Sequence, residues 1–344
     1  MTMARSHLVD VSVTRWYHCI TRCVRRAFLL GEGPINRKKW IENRLEELAE
    51  IFAVAVGGFS VIDNHLHVLA RLDPDVANGW SDEEVVRRWG RLFPPRDKSR
   101  EPLPVSSDWV KWRLQDVPWV ATARTRLASL SWFMKCLKEP LARLANRQDK
   151  TGGAFFEERF KSVAILDEKS LLATCAYIDL NAVAAGIVEV PEASPHTSIN
   201  QRVESVKAQD RTSDLKAAEG GSVAGSHASA GLEEPLWLCP IEDRRRLDSS
   251  REGILEGISL GSYLLLVDYT GRLFRERKAA ISAEVSGILE RLGSNAESWW
   301  SRLEKLSKGR LLGRFFAASR ERLREVARGL GVHHLANLGG CPAR

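Results

Sequence analysis

Two histidines one residue apart, His65 and His67 in the run VIDNHLHVLA, form the grouping with the clearest chemical potential in this chain of 344 residues. In an extended strand, positions i and i+2 project to the same side, so the two imidazoles stand together while Leu66 and Val68 point the other way. Such a pair is half of a divalent-metal site, and a pair of hydrogen-bonded structural histidines accounts for the spacing equally well. A tyrosine adds a second feature. Only four occur, Tyr17, Tyr177, Tyr263 and Tyr269, and Tyr177 lies in LLATCAYIDLNAVAAG, a helical run with the apolar stripe Leu171, Cys175, Ile178 and Ala182. Thr174, Tyr177 and Asn181 share the neighbouring stripe, which sets an amide one turn beyond the phenol. A phenol can act as a covalent nucleophile, and a cation held by two imidazoles and an amide oxygen can polarise a phosphate. Without the histidines, a half-buried helix tyrosine beside a surface asparagine explains the same stripe.

The surrounding elements must bring that helix to that strand. Residues 11–24 read as a strand, and Asn36 caps a helix with apolar positions Trp40, Ile41, Leu45, Leu48 and Phe52. Residues 54–62 and 65–72 are β-rich runs turned at Asp63 and Asn64, a hairpin. Leu130, Met134, Leu137, Leu141 and Leu144 mark a long helix with a kink expected at Pro140; a strand at 162–166 and a helix from Asp167 to about Ala185 follow. The order strand, helix, strand, strand, helix, strand, helix predicts an α+β fold, a ferredoxin-like or RRM-like antiparallel sheet with helices on one face, plus a C-terminal helical module. Residues 72–120, rich in Pro and Trp, read as an insertion whose tryptophans pack on the domain or stack on bases. Residues 201–232 lack aromatic residues and turn rich in Ala, Gly and Ser, the composition of a flexible linker between a unit at 1–200 and an extension at 233–344.

The balance of 51 Lys plus Arg against 44 Asp plus Glu, net +7, leans toward polyanionic partners. It is uneven: residues 1–39 hold eight basic and two acidic side chains, 124–161 nine and four, and 301–328 nine and three. Such stretches suit phosphate contacts or make ordinary solvated helix faces. The 44% hydrophobic and 28% charged content excludes wholesale disorder. No membrane-spanning run and no apolar leader are present, and six scattered cysteines suggest reduced thiols, so a soluble intracellular protein is expected.

At this point the motifs resemble those of a family. His65-Leu66-His67 is similar to the histidine-hydrophobe-histidine motif of the HUH single-tyrosine transposases, and Tyr177-Ile178-Asp179-Leu180-Asn181 resembles the tyrosine and third metal ligand of their catalytic helix. The branch that looks nearest is the REP-associated tyrosine transposases, through Tyr17-His18 with Arg22 and Phe28, Asn64 before the histidine pair, LSWFMKCLKEPLARLAN and GGAFFEERFKSV. ISLGSYLLLVDYTGR and ILERLG look like the C-terminal extension of longer relatives. Ala182 and Ala184 stand where that family's Asn-Pro-Val-Arg-Ala-Gly carries Pro and Arg.

The resemblance implies an enzyme, a metal-dependent tyrosine endonuclease and strand transferase that forms a 5′-phosphotyrosine. Tyr177 would be the nucleophile, with Mg²⁺ or Mn²⁺ on His65, His67 and Asn181. Arg22, Arg25, Arg26, Arg159 and Lys161 are candidates for the DNA backbone or form a solvated edge. The partners implied are single-stranded or hairpin DNA and no membrane, with a homodimer left open, in a bacterial cytoplasm near the nucleoid. Two rival classes are a domesticated DNA-binding regulator that does not cleave, and a zinc metallohydrolase indifferent to Tyr177.

Overall fold

Alternating apolar residues along four segments build an antiparallel sheet of β1 (Trp16–Arg22), β2 (Val54–Val61), β3 (His65–Leu72) and β4 (Lys161–Ile165), in the spatial order β2-β3-β1-β4. The computed structural model describes residues 9–31, 35–217, 227, 230–248, 250–274, 315–316 and 320–329. β1 begins at Trp16, later than expected, because residues 11–13 form a turn.

Tyr17, Cys19, Leu66, Val68, Ala70, Val54, Val56 and Phe59 point to one side and join a core with α1 (Arg37–Ile51) and the long helix of residues 130–148, which packs on α1. Asn36 caps α1 by accepting from Lys39 N at 2.9 Å. Ile41, Leu45, Leu48 and Ile51 follow at helical spacing and are fully buried, each contributing roughly 1.5–3 kcal/mol.

The 72–120 segment folds as α2 (Pro74–Gly79), α3 (Asp82–Leu92), α4 (Ser107–Leu114) and the start of α5 (Val117–Leu127). Trp80, Trp89, Trp109 and Trp119 lean on the first core, and Trp112 is exposed beneath Arg113. The helix after them, α6 (Leu130–Gln148), runs unbroken across Pro140. Proline removes the N–H that would reach the Cys136 carbonyl, and Arg44 Nε of α1 donates to that oxygen instead at 3.3 Å.

Helices cover the second face as well, which corrects the expectation of helices on one face. Leu69, Val163 and Ile165 point there and share a core with α7 (Glu168–Asp179) and the short α8 (Asn181–Ala184) that continues it. Residues 201–217 are not a linker: α9 (Ser198–Ala208) and α10 (Thr212–Ala217) are helices. Their polar composition misleads because Arg202 is wholly buried, donating to Glu233 Oε1 (2.8 Å) and to the carbonyls of Gly57 and Cys239 (2.9 Å each). Gly57 and Gly58 at a bulge in β2 permit the approach; a Cβ on Gly58 would lie 3.1 Å from Ser198 Oγ, and one on Gly57 2.8 Å from the Trp16 ring.

The part of the expected linker at 218–226 lies outside the described residues. So do 288–293, most of the basic stretch from 301, and His333 and His334. The region after 232 is no separate module over 238–267: Ile241, Leu255, Tyr263 and Leu266, the last two on α11 (Leu260–Phe274), belong to the second core. Phe315–Phe316, in the extension expected to be a helical module, pair parallel to β4, and α12 (Arg320–Gly329) follows. Cys23, Cys136, Cys175 and Cys239 are buried thiols outside any disulfide, and Cys19 is buried. Among the described residues no helix is long and apolar enough to cross a membrane.

Candidate functional site

Antiparallel register decides which side chains meet. Ile20 lies opposite His67 and Arg22 opposite His65, so β1 and β3 present these residues on the face that α7 covers. Asp167 starts α7 by accepting from Ser170 N at 2.8 Å; Tyr177 falls in its last turn and Asn181 one turn later, at the head of α8. The helix was expected to show one apolar stripe. It is buried all round from Ser170 to Asp179, because the sheet lies on one side and α11 on the other.

The structure brings Tyr177, His65, His67 and Asn181 together. The Tyr177 ring stands edge-on to His67, with centroids 5.4 Å apart, and the two histidine rings are 4.9 Å apart. Asn181 Nδ2 is 3.3 Å from His65 Nε2. His67, Tyr177 and Asn181 are buried, and His65 is half-exposed at the mouth.

Burial holds the imidazoles neutral. It pushes His65 down to about 4, with the Arg22 charge adding and the Asn181 hydrogen bond opposing. His67 falls well below the usual histidine range, first through burial and then through its neighbours His18, His65 and Arg22. Burial pushes the Tyr177 phenol up to about 12, and Arg22 pulls against it. The resting site therefore holds a neutral phenol and two neutral imidazoles at pH 7.

Sequence reasoning assigned no role to His18. It is wholly buried on β1, its Nε2 lies 2.8 Å from His67 Nδ1, and its ring stands 6.0 Å from Tyr177. The i, i+2 alternation from Trp16 to Arg22 was visible in the sequence, but only the β1–β3 register puts His18 beside His67.

All five candidate cations gather where β1 ends and β3 and β4 begin. The Arg22 guanidinium makes no hydrogen bond or ion pair among the described residues, and Glu157 N donates to its carbonyl, which ties residues 157–159 alongside. Arg25 (φ 56°) and Arg26 (φ 55°) are exposed in left-handed conformations that cost roughly 1–2 kcal/mol each. Arg159 is exposed, and Lys161 pairs with Glu158 at 3.5 Å.

A cation fits the donor set on two observations. Asn64 Oδ1, 2.6 Å from His65 Nδ1, takes that N–H and leaves His65 Nε2 as a lone pair. His67 Nε2 is buried with no hydrogen-bond partner among the described residues. The Asn181 amide, which donates to His65 here, offers oxygen when turned over. Among the described residues no three His, Cys, Asp or Glu are arranged to hold a metal ion between them, so the set is two imidazoles and one amide.

Asp179 anchors the helix from behind. Its carboxylate accepts from Ser198 Oγ (2.6 Å), Ile199 N (3.2 Å) and the Tyr263 hydroxyl (2.5 Å).

No family model and no curated protein matches the chain. Among solved structures, one described as a REP-associated tyrosine transposase bound to a REP hairpin overlaps it with a TM-score of 0.33 and 13% identity, over 55% of this chain and 78% of that one.

Proposed function

We propose that the chain is a transposase-like endonuclease and strand transferase acting on single-stranded or hairpin DNA, with Tyr177 as nucleophile. The convergence of a phenol, two neutral imidazoles and an amide beside the unpaired Arg22 is the observation that carries this reading. It agrees with the motif resemblance and with a β2-β3-β1-β4 strand order compatible with a ferredoxin-like layout.

In the proposed reaction the Tyr177 oxygen bonds to a backbone phosphorus and the 3′-oxygen leaves, giving a 5′-phosphotyrosine and a free 3′-hydroxyl. The phenol loses one proton and the departing oxygen gains one. One phosphate ester replaces another, so reversal rejoins strands without an external energy source. Divalent Mg²⁺ or Mn²⁺ held by His65, His67 and Asn181 would supply positive charge against the phosphoryl oxygens. The mixed nitrogen and oxygen donors suit Mn²⁺ better than Mg²⁺, which favours oxygen.

This chain's own residues supply the rest. Arg22 favours the phenolate and offers a phosphate contact, while Arg25, Arg26, Arg159 and Lys161 hold the backbone at the same end of the sheet. α7 and the sheet keep bulk water from the phenol.

The test is a labelled hairpin oligonucleotide incubated with Mn²⁺. The wild type is expected to form a denaturation-resistant DNA adduct that Tyr177→Phe does not form. A second reading, a DNA-binding protein that does not cleave, draws on the exposed Ala184, where a basic side chain is missing. Binding with no adduct in Mn²⁺ or Mg²⁺ would overturn the first reading in favour of the second.

A further inference from the structure

The hydrogen bond between His18 and His67 needs one proton between two nitrogens, and there are two ways to supply it. If His18 Nε2–H donates, His67 must carry its own proton on Nε2 and turns an N–H toward the site. If His67 Nδ1–H donates, His67 Nε2 is a bare lone pair and His18 keeps its proton on Nδ1. His18 Nδ1 and His67 Nε2 are both buried without partners among the described residues. Either arrangement thus leaves one donor and one acceptor unmet, and the empty site has little to choose between them. A cation breaks the tie, because it can bind only the lone pair.

We propose that His18 is a positioning residue for His67: by accepting from Nδ1–H it holds His67 in the tautomer that turns the Nε2 lone pair to the cation. This inference rests on the metal reading given above. It makes the two ligands alike, since Asn64 Oδ1 does for His65 what His18 Nε2 does for His67. Packing supports the role. The two rings stack with centroids 5.0 Å apart and 30° between planes, and His18 is held on β1 opposite Leu69 with no exposed surface. An imidazole acceptor also orients His67 without placing a carboxylate charge in a dry site.

Mn²⁺ binding to the full-length protein, followed by electron paramagnetic resonance of the free ion, tests it. His18→Phe keeps the ring but has no acceptor, and is expected to weaken Mn²⁺ binding by about 10–100-fold. His18→Gln, whose amide oxygen can accept, is expected to recover most of that loss. A third measurement does not depend on any variant folding: ¹⁵N imidazole spectra of the wild type saturated with Mg²⁺ should show His67 protonated at Nδ1 and bare at Nε2. Unchanged Mn²⁺ affinity in folded His18→Phe, or a proton on His67 Nε2 in the Mg²⁺-loaded protein, would overturn the role of His18 alone. A wild type that binds no Mn²⁺ overturns the metal reading and this inference with it.

Discussion

Tyr263→Phe removes a single oxygen behind the helix that carries Tyr177, and its effect can be worked out from the structure. Tyr263 is fully buried on α11, and its hydroxyl donates to Asp179 Oδ2 at 2.5 Å, a hydrogen bond to a carboxyl group two residues beyond Tyr177. Burial pushes the Asp179 carboxyl above the usual carboxylate range, so the magnitude comes from leaving a buried acceptor one donor short, about 1–3 kcal/mol, and the variant should be destabilised by about that amount.

The reciprocal change sharpens the expectation. In Asp179→Ala the Tyr263 hydroxyl is stranded without its acceptor, so adding Tyr263→Phe there should be neutral or stabilising. Urea unfolding followed by tryptophan fluorescence on the wild type, both single variants and the double variant measures all four corners of the cycle. A cost for Tyr263→Phe that is the same in both backgrounds, within about 0.5 kcal/mol, would refute the claim that this contact ties α11 to α7.

Glu42 sets a pH dependence. Burial raises its carboxyl, but hydrogen bonds from His196 (2.8 Å), Gln201 (2.5 Å) and Lys39 (3.2 Å) outweigh that and lower it from 4.5 to about 2. A depressed acid stabilises the fold above its unfolded value and loses that contribution as pH falls toward 2. Glu42→Gln should therefore be less stable than the wild type at pH 7, by up to about 3 kcal/mol, with the gap closing as pH falls; melting temperatures across that range check it, and a constant gap counts against the assignment. Ala184 is exposed at the end of α8, so Ala184→Arg should fold normally and bind a hairpin oligonucleotide more tightly at low salt. Its log–log salt dependence should steepen by about 0.7–0.9, whereas an unchanged slope would place residue 184 away from the DNA.

Much of the site was legible because it depends on local periodicity. The alternation of a strand puts His65 and His67 on one side, and the pitch of a helix puts Asn181 one turn beyond Tyr177, whatever surrounds them. The caps Asn36 and Asp167 and the turn at Asp63 and Asn64 are equally local, since each rests on side chains reaching backbone groups or turning the chain within a few residues.

Other features depended on residues far apart in the chain. Arg202 reads as a polar residue in a solvated segment, and it is buried because Glu233, Gly57 and Cys239, from 31 to 145 positions away, take its hydrogens. That docking lays α9 and α11 over the second face and encloses α7, which a count of apolar positions along one helix could not reveal. His18 shows the same division. Sequence determined that it shares a strand face with Arg22, because side-chain direction repeats every two residues. Only the tertiary structure decided that the face meets His67, because strand register is set by contacts between chain segments and not by the residues of either strand alone.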